Sequence, residues 1–149
     1  MRETITAALQ AATKAQAKRR VSTLRMVSAA IKDRDIAART AGKEQATDAE
    51  LLELFAKMIK QREESQKIYA DAGRAELATQ EGEEIEIIRE FLPKQLSDTE
   101  IDKAIAEAIA AEGALSVRDM GKVIAALKVR YAGQMDFSKA SALVKAKLG

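Results

Sequence analysis

The sequence predicts an all-α protein, with an N-terminal domain of about four helices and a small three-helix C-terminal domain. Three observations lead there. Ala fills 30 of 149 positions, and Ala is the strongest helix former and lets helices approach closely. Apolar residues recur at i, i+3, i+4 and i+7, and no segment alternates with the period of a strand. The only proline, Pro93 in the stretch FLPKQLS, separates two such helical regions. Proline has no backbone N–H and restricts the residue before it, so Pro93 marks a seam. The expected division is 1–92 and 93–149.

Each element has its own signal. Ile5, Ala8, Leu9 and Ala12 form the inner stripe of a first helix. Leu24, Val27 and Ile31 carry the stripe through a second, over roughly residues 20–40. Thr40–Gln45 is a polar loop. Thr47 followed by Glu50 is a capping box. It opens a helix to about Ala72 that buries Leu51, Phe55, Met58 and Ile59, with Gly73 as its stop. A fourth helix, roughly 75–91, buries Ile85, Ile88 and Leu92. Past Pro93, Ser97 and Glu100 make a second capping box. Ile101, Ala104, Ile105, Ala108 and Ile109 line the inner face of that helix, and Gly113 ends it. Ser116 with Asp119 starts the next helix, which carries Met120, Ile124, Leu127 and Tyr131 and stops at Gly133. Asp136 caps the last helix, with Phe137, Ala140, Val144 and Leu148 inward.

Composition narrows the function. There is no Cys, which excludes thiolate nucleophiles and Cys-based metal sites. There is no His, so the commonest general base and metal ligand is missing. A thin Ala-rich core with five aromatic residues predicts no large buried cavity and no cofactor. No apolar run approaches the roughly 20 residues of a membrane span. The N-terminus lacks the apolar stretch of a secretion signal. Its basic amphipathic start is closest to a mitochondrial presequence, but it leads directly into the first helices, so a cytoplasmic protein is expected. The phosphate-loop pattern GxxxxGK[ST] is absent. The cluster EGEEIEIIRE, Glu81–Glu90, reads as a solvated helix face rather than as acid–base or metal-binding carboxylates. SVRDMGK, Ser116–Lys122, lacks the spacing of a Ser–Lys catalytic pair. Met26, Met58 and Met120 read as core.

Charge is segregated although the net charge is only +2. Residues 1–43 carry ten Lys/Arg against three Asp/Glu, and residues 44–93 carry six against thirteen. Residues 94–113 carry two against five, and residues 114–149 seven against two. Lys18, Arg25, Lys32 and Arg39 recur every seven residues, nearly one line on a helix, and Lys14 extends it by a turn. Such a line can follow phosphates. The favoured expectation is that it pairs with the acidic helices of 44–93. At the C-terminus, Arg118 and Lys122 are followed by Lys128, Arg130, Lys139, Lys145 and Lys147. The Ala132–Asp136 turn leads into a helix N-terminus, where free N–H groups bind anions. A phosphate-backbone site around that turn and a charged solvated face are equally good readings.

Taken together, LRMVSAAIKDRDI (24–36), IKQREESQKIYADAGRAELATQEGEEIEIIREFLPKQLS (59–97), DMGKVIAALK (119–128) and the GQMD turn resemble the YqeY-like family over essentially the whole chain. That family has an N-terminal helical domain and a smaller C-terminal helical domain. The C-terminal part is similar to the tail domain of the B subunit of the tRNA-dependent amidotransferase, which helps to hold tRNA while the chemistry sits elsewhere. The resemblance implies a non-catalytic module that contacts tRNA or another structured RNA. Lys122, Lys128, Arg130, Lys139 and Lys145 would touch phosphates, and Gly133 and Gln134 would shape the turn. A protein–protein adaptor is the second expectation. The third is an accessory component of a glutamine-dependent amidotransferase, a carbon–nitrogen ligase. The turn departs from the family's frequent Gly-Arg-Ala-Asp or Gly-Arg-Ala-Asn: Gln134 stands where an arginine would supply a charged contact.

Overall fold

A computed structural model describes residues 1–149. It contains seven α-helices and no strand: α1 (Arg2–Lys14), α2 (Lys18–Thr40), α3 (Asp48–Asp71), α4 (Ala75–Arg89), α5 (Asp98–Ala111), α6 (Met120–Tyr131) and α7 (Phe137–Leu148). A single 3-10 turn, Val117–Asp119, leads into α6. The chain forms two compact units, Met1–Leu92 and Pro93–Gly149.

In the first unit α4 runs along α3, α1 folds back on α2, and α2 also packs on α4. The stripes read from the sequence supply the core: Ile5, Val27, Ile31, Leu51, Phe55, Met58, Ile59, Ile85 and Ile88 cluster together, with Phe91 and Leu92 partly buried against them. α3 opens on the expected capping box. The Thr47 hydroxyl accepts from the Glu50 N–H, and the Glu50 carboxylate accepts from the Thr47 N–H. The α1–α2 break falls where no glycine announces it. Gln16 takes the left-handed conformation, φ 56°, and the Ala17 and Gln16 N–H groups donate back to the Ala12 and Thr13 carbonyls. This is the closure usually supplied by glycine.

The second unit gathers Ile101, Ala104, Ile105, Val123, Leu127, Met135, Ala140 and Val144 between its three helices. Ser97 and Glu100 form the second capping box at the start of α5. Because each box satisfies N–H groups with no helical partner, Thr47→Ala and Ser97→Ala are each expected to cost about 1 kcal/mol in denaturant unfolding.

Two expectations change here. Ser116 does not cap α6 with its side chain. The Asp119 carboxylate instead accepts from the Leu115 N–H at 3.0 Å, which holds it below the ordinary carboxylate range. An extra 3-10 turn between these residues removes the geometry a capping box needs. Met26 is also not core. It is 37% exposed, and its sulfur lies 3.1 Å from an Arg62 guanidinium nitrogen.

Candidate nucleic-acid interface

The C-terminal cations are set by helix phase. Successive residues on a helix turn by about 100°, so Lys128 and Arg130 leave α6 about 200° apart, on opposite flanks of its buried Val123–Leu127 face. The Lys128 ammonium lies 5.9 Å from the centre of the Phe137 ring, and the Arg130 guanidinium 5.5 Å from that of Tyr131. Lys122 is exposed on the outer face of α6, and Lys145 is exposed on α7. Lys139 makes a loose, exposed ion pair with Asp98 at 3.7 Å. The structure therefore distributes these side chains around α6 and α7 rather than gathering them at one point.

The turn between α6 and α7 is built inward. Gly133 is buried with φ 73°. Its carbonyl accepts from Gln95 Nε2 at 2.6 Å, and the Gln134 carbonyl accepts from the Leu96 N–H at 2.9 Å. Gln95 and Leu96 thus latch the turn within the second unit. Met135, at a position expected to lie in a polar turn, is 4% exposed and belongs to the core. The helix N-terminus beyond it is occupied. Asp136 Oδ1 accepts from the Ser138 N–H at 2.9 Å and the Lys139 N–H at 3.4 Å. The N–H groups expected to greet a phosphate already face a carboxylate of the chain itself. What the unit presents to an anion is its lysines.

In the first unit the expected pairing is overturned residue by residue. The cations of α2 that meet acid are Arg19 with Glu83, Arg20 with Glu90, and Arg34 with Glu50, while Arg2 from α1 holds Asp35 and Lys43 joins Glu50. Lys18, Arg25 and Lys32 are exposed and make no ion pair, and Arg39 touches only the Glu44 carbonyl at 3.4 Å. The reason is phase: Arg19 and Arg20 sit about 100° and 200° around the helix from Lys18, toward α4. Lys14 does not extend the line, because α1 ends there and the chain reverses. An open groove of about 800 Å³ lies beside Lys18, lined among others by Arg19, Gln66, Gly82, Glu83 and Ile87. Its charges are mixed and largely self-paired.

The acidic stretch of α4 is not wholly solvated either. Glu84 is 6% exposed and meets Arg62 Nε at 3.2 Å, with Gln80 Nε2 at 3.3 Å. Arg62 also donates to the Met58 carbonyl at 3.1 Å. Glu84 precedes core Ile85 by one position and Ile88 by four, which turns it to the edge of the core. Burial, then the nearby Glu84 charge, holds the Glu81 carboxyl above its ordinary value of 4.5. A raised carboxyl pKa means stability that is fully present below the unfolded value and lost as pH rises through the folded one. Glu81→Gln is therefore expected to stabilise the protein at pH 7, with the gain vanishing below about pH 4 in denaturant titrations. No group of three or more carboxylates is arranged to hold a metal ion, and no helix is long and apolar enough to cross a membrane.

None of the curated proteins compared with the chain matches it. A family model, that of the YqeY-like proteins, matches residues 2–148. With nearly the whole sequence covered and both helical units inside the match, the chain belongs to the YqeY-like family.

Proposed function

We propose that the protein is a non-catalytic RNA-binding module whose C-terminal unit contacts the phosphates of tRNA or a similarly structured RNA. One observation carries this reading. Lys122, Lys128, Arg130 and Lys145 are exposed and without ion pairs. The two acids of residues 114–149, Asp119 and Asp136, are both engaged with backbone N–H groups. Seven cations against these two carboxylates leave residues 114–149 with a net charge of +5. The likeness of the C-terminal part to an amidotransferase tail supports tRNA as the partner. The missing arginine at Gln134 moves the weight of the contact from the turn to the helices. Catalysis is assigned to no residue.

Phosphate contacts release counterions, so each one removed lowers the steepness of salt dependence by about one. Lys122→Ala with Lys128→Ala is expected to weaken binding to folded tRNA at least tenfold at low salt and to reduce the log–log salt slope by about two. Unchanged affinity and slope would remove these lysines from the interface.

A protein-adaptor role is the second reading, favoured by Leu115 at 91% and Val129 at 88% exposure in the same unit. Recovery of one stoichiometric protein partner after nuclease treatment, lost in Val129→Lys, would support it over RNA binding.

A further inference from the structure

α2 sorts its cations by face. Those turned toward α3 and α4 are neutralised: Arg19 by Glu83, Arg20 by Glu90 and Arg34 by Glu50. On the outer face, Lys18, Arg25 and Lys32 make no ion pair, and Arg39 donates only to the Glu44 carbonyl while its charge acts on Asp35 one turn back. The outer row spans about 31 Å at 1.5 Å per residue, with a cation about every 10 Å. Between them on the same line stand Ser22, Ala29 and Ile36, two of the three small. Of the two acids on this helix, Asp33 lies about 100° off the line from Lys32, and Asp35 is engaged by Arg2 at 2.6 Å.

We infer that this ridge is a second nucleic-acid contact, which lies along the sugar–phosphate backbone of a folded RNA. The inference rests on the RNA-binding reading above and adds to it a surface in the other unit. Charge and chemistry choose this occupant over an acidic protein helix. A protein partner would have to desolvate four cations while gaining little apolar area, since Ile36 is the one large apolar side chain on the line. A polyanion needs no apolar contact: its binding is driven by release of condensed counterions, and the cations can stay hydrated at their tips. The small residues between the cations keep the ridge low, so a broad backbone can reach successive positions.

The test uses the full chain, folded tRNA as the probe, and anisotropy titrations over a series of salt concentrations. The variant is Lys18→Gln, Arg25→Gln, Lys32→Gln; glutamine preserves helix propensity, and circular dichroism checks the fold. A charge-matched control, Lys57→Gln, Lys67→Gln, Lys103→Gln, removes three exposed lysines elsewhere. The ridge variant is expected to bind more than tenfold weaker at low salt, with a slope smaller by about 2.7, while the control changes the slope by less than about one. Equal losses in variant and control would overturn the inference in favour of generic attraction. A ridge variant that matches wild type while the Lys122, Lys128 variant loses slope would overturn the ridge and leave the C-terminal reading standing. Absence of tRNA binding by the wild-type chain would overturn both.

Discussion

Arg62→Ala is expected to destabilise the first unit by about 3–5 kcal/mol. The Arg62 side chain is 13% exposed and that of Glu84 8%, so removing Arg62 leaves a buried charge whose one remaining polar partner is Gln80. Much of the loss is the cost of that orphaned carboxylate rather than the worth of the pair. The double change Arg62→Met, Glu84→Leu should therefore recover most of it, because an apolar pair of similar size avoids the desolvation altogether. Equilibrium unfolding in urea measures both. A single-variant loss below about 1 kcal/mol would mean that water screens the pair as it does at a surface.

Met135→Ala is expected to cost about 2–5 kcal/mol in the second unit. The side chain sits among Ile101, Ile105, Leu127 and Val144 in a core formed by three short helices, and a core this small has few neighbours to close a cavity. Its backbone is fixed from both sides. The preceding carbonyls accept from Gln95 and Leu96, and the following Asp136 caps α7. The turn cannot swing inward to fill the space. Hydrogen exchange at the amides of α5, α6 and α7 reports the loss directly. Undiminished protection would show that the turn does not support the core.

The helices α3, α5 and α7 were legible from their caps, because Thr47, Ser97 and Asp136 each accept from N–H groups of the first turn. Thr47–Glu50 and Ser97–Glu100 are reciprocal boxes in the structure as in the sequence, and Gly73 and Gly113 take the positive φ that ends a helix. Where a rule names a residue type rather than a geometry, it misleads. Gln16 does a glycine's work at the α1–α2 turn, and no propensity argument points to it. Glu84 and Met135 were misplaced for a different reason. A carboxylate in an acidic run and a methionine in a polar turn look exposed, until an arginine from α3 or the latch of Gln95 and Leu96 places them. Arg62 lies 22 residues from Glu84, and Gln95 lies 38 residues from Gly133, whose carbonyl it holds. The same limit affected the basic line. Its spacing was visible, but its lack of partners became visible only once Arg19, Arg20 and Arg34 had claimed the nearby acids.

RNA binding is tested most directly by titrating the wild-type chain with folded tRNA and with an unstructured RNA of equal length, each at low and physiological salt. Tighter binding to the tRNA that persists at physiological salt is the predicted result, because cations fixed on rigid helices match a shaped backbone better than a flexible one. Equal binding to both RNAs that disappears as salt is raised would contradict it.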